Sequence, residues 1–161
     1  MNAQDYNNIV DLYSDNVYRF ILKNIRDKDK AMDIVQDSFE KLWINVNKVE
    51  SQKAKSYLFT TAYHTMIDYI RKEKKMVLMD EQADYYLPDN KQYSDLKEIL
   101  EKAVSLLPED QRSVVLLRDY EGYSYEEISQ ITGLSEAQVK VYIFRARTFL
   151  KKYIGSMEVL V

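Results

Sequence analysis

The stretch Tyr123-Ser124-Tyr125-Glu126-Glu127-Ile128-Ser129-Gln130-Ile131-Thr132-Gly133-Leu134-Ser135-Glu136-Ala137-Gln138-Val139 leaves the chain little choice of local fold. Ser124 stands where an N-cap would, with Glu127 three residues on, so each can satisfy a free backbone N–H of a helix's first turn. Ile128 and Ile131 give that helix an apolar face. Gly133 supplies the left-handed conformation that closes a helix without a Cβ penalty. Ser135 and Gln138 repeat the capping pattern and restart a helix after about three residues, the spacing of a helix-turn-helix. The second helix is cationic: from Ala137 to Lys152 there is no acid, while Lys140, Arg145, Arg147, Lys151 and Lys152 are basic. Such a helix suits the major groove of a duplex. Capped helices about a glycine turn also occur in all-α proteins that bind no nucleic acid, where the basic side is simply solvated. If all five cations met phosphates, log K would fall with log salt at a slope of about −4.5.

With only 3 Gly and 2 Pro in 161 residues, the rest of the chain favours helices joined by short loops. No cysteine is present, which excludes a disulfide frame and a thiolate zinc site, and the single histidine excludes a histidine-rich metal centre. No apolar run of about 18 residues could span a membrane. The N-terminus, with Asp5 and alternating polar and apolar residues, does not read as a signal peptide, so a reducing, cytoplasmic setting is expected. No glycine-rich phosphate loop or triad setting is visible, and Glu126 and Glu127, being adjacent, point about 100° apart on a helix rather than converging. The chain is read as no enzyme, with neither cofactor nor metal. Charge is uneven: residues 51–75 carry a net +4 and 112–154 a net +2, with −6 over 76–111 between them. Two basic islands flank an acidic bridge.

Apolar periodicity predicts a helix over 5–26 (Ile9, Tyr13, Val17, Phe20, Ile21) and a second over 30–46 (Ile34, Val35, Phe39, Leu42, Trp43, Val46). The polar face of the second holds Asp33, Gln36, Asp37, Glu40 and Lys41, and fits either solvent or a partner protein. After a polar loop, a third helix is predicted over 57–72, with Leu58, Ala62, Met66 and Tyr69 inward. On it Tyr57, Thr61, His64, Asp68 and Arg71 form a continuous stripe that runs into Arg71-Lys72-Glu73-Lys74-Lys75. Aromatic rings beside cations suit single-stranded nucleic acid, whose bases stack and whose phosphates pair. In a chain with 14 Tyr, the same stripe fits an ordinary helix boundary. Residues 76–95 lack helical periodicity and read as a linker. Further helices are predicted over 94–107, with Leu96, Ile99, Leu100, Ala103, Val104 and Leu107 inward, and over 109–120, started by Pro108. The last is predicted to end at Gly155, with Val139, Ile143, Ala146 and Leu150 inward and Gln138, Lys140, Val141, Arg145 and Thr148 outward. The expected fold is therefore all-α: two small helical domains, 1–75 and 96–161, joined by a flexible acidic linker over 76–95, the second domain carrying the helix-turn-helix.

With these residues in place, the chain resembles the extracytoplasmic-function group of bacterial sigma factors over about residues 5–154. Asp33-Ile34-Val35-Gln36-Asp37-Ser38-Phe39-Glu40-Lys41-Leu42-Trp43 is similar to the helix by which those factors grip the polymerase clamp. Ser56 through Ala62 and Ile67-Asp68-Tyr69-Ile70-Arg71-Lys72 resemble the promoter-melting, minus-ten-reading segment. Leu107-Pro108-Glu109-Asp110-Gln111-Arg112 and Tyr123 to Leu150, with Ile143-Phe144-Arg145-Ala146-Arg147, resemble the domain that reads the minus-thirty-five element. The chain departs at His64, where the family commonly has Asn.

The resemblance implies a factor that binds core RNA polymerase and directs it to promoter DNA without bond chemistry of its own. It implies polymerase contacts at Asp33, Gln36, Asp37, Glu40 and Lys41. Tyr57, Thr61, His64, Asp68, Arg71 and Lys72 would face the melted minus-ten strand, with residues between Val46 and Ser56 helping to form a pocket for an extruded base. Ser135, Gln138, Lys140, Val141, Phe144, Arg145 and Arg147 would meet the minus-thirty-five element, and Arg118 a backbone phosphate. Group membership also implies an anti-sigma partner. Two other readings of the residues stay open: a stand-alone helix-turn-helix regulator, which leaves 30–75 without a task, and an all-α interaction adaptor.

Overall fold

The computed structural model describes residues 1–79 and 95–159, and among these all regular structure is helical. Helices α1 (Ala3–Ile25), α2 (Lys28–Ile44) and α3 (Ala54–Met79) form a first bundle. Helices α4 (Leu96–Ser105), α5 (Glu109–Val115), α6 (Tyr125–Thr132) and α7 (Glu136–Val159) form a second. The residues between, 80–94, which hold most of the expected linker, lie outside the described residues.

Local chemistry sets the first bundle. Asn2 Oδ1 accepts from the Asp5 N–H at 2.8 Å, and the Asp5 carboxylate accepts from the Asn2 N–H at 3.1 Å, a reciprocal box that starts α1. Arg26 ends α1 in the left-handed region, at φ 56°, and Asp27 at once caps α2 by accepting from the Lys30 N–H at 3.1 Å. With no loop to spare, α2 must fold back along α1. Ile9, Val17, Phe20 and Ile21 of α1, Ile34, Val35, Phe39 and Leu42 of α2, and Leu58, Ala62 and Met66 of α3 are all buried. In the second bundle Val104, Leu107, Val114, Ile128, Ile131, Val139, Ile143 and Ala146 are buried. The bundles touch: α3 lies against α6 and α1 against α4, and most of the buried side chains form one cluster across both.

Several expectations change. α3 does not stop near Lys72 but runs on over 76–79, since Lys74 to Met79 contains no residue that breaks a helix. Trp43, expected inside, is 48% exposed, because it lies one step of about 100° beyond the fully buried Leu42. It packs edge-on against Tyr6 instead, with ring centres 4.9 Å apart. Leu96 opens α4 and is exposed rather than inward. The helix begun at Glu109 turns π-helical over Leu116–Tyr120, where the Glu121 N–H reaches the Leu116 carbonyl at 3.1 Å. That wider turn keeps both Leu116 and Leu117 buried. Gly155 does not end α7, which continues to Val159. A mid-helix glycine costs only about 1 kcal/mol, and no proline follows to enforce a stop.

Candidate nucleic-acid interface

The helix-turn-helix forms as its caps dictate. Ser124 Oγ accepts from the Glu127 N–H at 3.1 Å while the Glu127 carboxylate accepts from the Ser124 N–H at 3.0 Å. Those bonds hold the Glu127 carboxyl below the usual carboxylate range. Gly133 takes φ 79° and closes α6. Ser135 Oγ then accepts from the Gln138 N–H at 3.1 Å, and Gln138 Oε1 accepts from the Ser135 N–H at 2.9 Å. Those two side chains are thus first occupied in starting α7, and Gln138 retains its amide donors for anything beyond.

With Val139, Ile143 and Ala146 buried, α7 turns Lys140, Val141, Phe144 and Arg145 outward. Phe144 is 72% exposed, which no core role explains. Arg147 is exposed but held: its Nε donates to Asp119 Oδ2 at 3.1 Å and its Nη2 to Oδ1 at 2.5 Å. Arg118 is half-buried, donates from Nη1 to the Tyr123 carbonyl at 2.9 Å, and lies 4.6 Å over the Tyr125 ring. Lys140 Nζ sits 5.6 Å from the same ring. Tyr125 is therefore a platform that spaces two cations at the edge of α7. Sequence reading missed it, because a tyrosine in a first helical turn gives no sign of what folds over it.

Helix α3 has three faces about 120° apart. One carries Leu58, Ala62 and Met66 into the first bundle, and a second carries Phe59 and Tyr63, both buried, toward the second bundle. The third is the predicted stripe. His64, Asp68, Arg71 and Lys72 are exposed on or beside it, and Thr61 and Tyr57 are half-buried. Tyr57 is tied to α2, its hydroxyl accepting from Asn45 Nδ2 at 3.1 Å and donating to the Lys41 carbonyl at 3.4 Å. The His64 ring stands edge-on to Tyr63, with centres 5.2 Å apart. The loop before α3 is a short 3-10 turn over Ser51–Lys53.

On α2, Asp33, Gln36, Asp37 and Glu40 share an exposed face. Lys41 is also exposed but leans toward α3, with Nζ 3.5 Å from Thr65 Oγ1. Met32 and Ile44 are exposed as well, and Gln36, Glu40 and Trp43 border a groove against Tyr6 and Asn7 of α1. Sequence reading passed over Met32 and Ile44, although their lack of a place in the core stripe was the available sign, and it took Trp43 for core. Among the described residues, no group of three or more His, Asp or Glu could hold a metal ion.

The Sigma-70 region 2 family matches residues 9–76, and the Sigma-70 region 4 family matches residues 97–150. The ECF RNA polymerase sigma factor SigM of Bacillus subtilis (strain 168) is 35% identical over 148 residues, which covers 89% of this chain and 91% of SigM. The chain belongs to the ECF sigma factors. It thus acts in promoter-specific transcription initiation with RNA polymerase, and the region 2 match gives residues 30–75 the task that a stand-alone regulator would leave empty. The sigma factor SigV of the same organism is 32% identical over 137 residues, covering 83% of this sigma factor and 81% of SigV. Among solved structures, the sigma factor RpoE of Bartonella quintana, in complex with the anti-sigma factor NepR, superposes with a TM-score of 0.80 at 26% identity. That match covers 95% of this sigma factor and 98% of RpoE. Sigma factors are regulators rather than enzymes as a class, and no helix among the described residues of this one is long and apolar enough to cross a membrane.

Proposed function

We propose that this ECF sigma factor reads a two-part promoter with its two bundles. The first bundle, residues 1–75, binds core polymerase through Asp33, Gln36, Asp37, Glu40 and Lys41, with Trp43 and Ile44 as the apolar part of that surface. It holds the melted minus-ten strand along Tyr57, Thr61, His64, Asp68, Arg71 and Lys72. The second bundle, residues 96–161, lays α7 in the major groove of the minus-thirty-five element. Lys140 and Arg145 can donate to guanine O6 and N7, and Val141 and Phe144 can meet a thymine methyl. Arg118, Ser135 and Gln138 flank that contact and set its register on the backbone, with Arg147 beside them but held by Asp119. One observation supports this reading most: the outward row Lys140, Val141, Phe144 and Arg145 is exposed on a rigidly capped helix, with the large apolar Phe144 in solvent.

The factor works in the cytoplasm, carries out no catalysis, and pairs with an anti-sigma protein, as RpoE is found in complex with NepR. Gel-filtration co-elution with sigma-free core polymerase, followed by transcription from fragmented DNA of the source organism, tests the reading. The expected result is a stable complex and discrete new transcripts. Tight binding to a duplex operator with no co-elution would overturn it in favour of a stand-alone regulator.

A further inference from the structure

Where α1 comes up against α4, its surface is cationic rather than apolar. Arg19, Leu22 and Lys23 share one side of α1, and Arg26 follows at its cap. A helix side that faces a neighbour is ordinarily an apolar stripe, yet here only Leu22 is apolar. Arg26 turns left-handed at φ 56°, and α2 starts at once, which brings Lys28 to the same corner.

These residues border a cleft of about 430 Å³, within the roughly 300–1,000 Å³ of small-molecule sites. The buried part of its lining is apolar, with Val104 of α4 and Leu116 beside Leu22. Tyr18 and Tyr120 add two aromatic rings. Exposure is graded along the cleft: Arg26 and Lys28 are exposed, Lys23 is half-buried, and Val104 and Leu116 are buried.

The charges of the lining do not balance. Arg19 already has a partner, donating to Glu121 Oε1 from Nε at 3.2 Å and from Nη2 at 2.9 Å. Lys23, Arg26 and Lys28 have no carboxylate within ion-pair distance among the described residues. Asp27 and Asp29, beside Lys28 in the chain, do not line the cleft, and Glu101 is the one acid that does. Three free cations against one acid leave a surplus of two positive charges. Lys23 rests on the Tyr120 ring instead, with Nζ 3.6 Å from its centre. Burial, and next the Arg19 charge, hold the Lys23 ammonium below its usual range, against the pull of Glu101 and Glu121. An incoming anion would supply the partner that Lys23 lacks.

The ligand that matches this lining has a flat, largely apolar body to place inward and two or more negative charges at its outer end. We propose that the cleft is a binding site for a nucleoside diphosphate. Its base lies against Leu22, Leu116 and Tyr18, and its diphosphate is met by Lys23, Arg26 and Lys28 through charge-assisted hydrogen bonds. Because α1 and α4 both contribute, occupancy stabilises the folded chain by mass action. The site shares no residue with the outward row of α7 or the stripe of α3, so it stands apart from the two-element reading above.

Isothermal titration calorimetry of the full-length chain with ADP, GDP, adenosine and inorganic pyrophosphate tests the assignment. ADP or GDP should bind, with adenosine and pyrophosphate each about ten-fold weaker or more, since each keeps only part of the contacts. Lys23→Gln and Arg26→Gly should each weaken nucleotide binding about ten-fold. Glycine suits the left-handed position, so Arg26→Gly removes the charge and keeps the turn. Glu101→Gln, at an exposed position, should tighten binding about three-fold, a gain that misfolding cannot imitate. Lys151→Gln, on the basic helix α7, should leave it unchanged. No heat with either nucleotide, adenosine or pyrophosphate binding as tightly as ADP, or a loss in Lys151→Gln equal to that in Lys23→Gln would overturn the proposal.

Discussion

Replacing Asp119 with Asn releases Arg147, and the salt dependence of duplex binding should record the release. Five cations lie on α7, but the Arg147 guanidinium is bound through two bonds to the Asp119 carboxylate. Four remain free of a carboxylate partner, so the helix can contribute a slope no steeper than about −3.6 in log K against log salt, rather than about −4.5. In Asp119→Asn the fifth cation is freed and the slope should steepen by about 0.9. Between about 50 and 200 mM salt, that is roughly 3.5-fold more affinity lost by the variant than by the wild type. The pair is at the surface, with side chains 48% and 37% exposed, so its loss should remove no more than about 1 kcal/mol of stability. Fluorescence anisotropy of the full-length chain on a labelled duplex gives both slopes. Contacts made by α3 contribute equally to the two proteins and cancel in the difference. Equal slopes, agreeing to within about 0.3, would show that Arg147 leaves Asp119 for DNA unaided and refute the count of four.

Other perturbations have separate readouts. Arg145→Ala should lose about 1–3 kcal/mol of binding at a single promoter position, measured on a panel of single-base variants, whereas a uniform loss would make Arg145 a phosphate contact. Trp43→Ala should weaken core polymerase binding by about 2 kcal/mol, as a central aromatic contact would. Because Trp43 is half-exposed, thermal unfolding should show a smaller loss than the 3–5 kcal/mol typical of a fully buried ring. Glu127→Gln tests the cap by pH. The folded Glu127 pKa lies below its ordinary value of 4.5, so its stabilisation is fully present above that value and lost as pH falls through the lower folded one. The difference in melting temperature between wild type and variant should therefore be present at neutral pH and close only in acid. A gap independent of pH would show that charge contributes nothing to the cap.

What could be read from the sequence was local. The boxes Ser124/Glu127 and Ser135/Gln138 each close within three residues, so the helix-turn-helix followed from spacing alone, and both formed as expected. The outward positions of Lys140, Val141 and Arg145 followed from the inward pattern of Val139, Ile143 and Ala146, while that of Phe144 came only from the family resemblance. What could not be read were pairings between distant segments. Nothing near Arg147 points to Asp119, and nothing near Arg19 points to Glu121, because charge partners across a fold leave no periodicity. Trp43 failed for a different reason: side-chain apolarity was taken as burial, while Trp43 lies about 100° around α2 from the fully buried Leu42. The end of α3 was obscured by composition, since a run of lysines weakens an apolar pattern without weakening the helix.

The three faces of α3 leave that helix little room to drift. On α1, Asn8, Asp11 and Asp15 point to solvent, so mutations there can accumulate unseen. On α3 the row Leu58, Ala62 and Met66 answers to the core, Phe59 and Tyr63 to the neighbouring bundle, and Thr61, His64 and Asp68 to the strand it is proposed to hold. A lineage acquiring a new promoter preference through His64 must do so on a rod whose other sides are already spoken for. Specificity can then change only by single side chains at fixed positions and not by a shift or rotation of the helix.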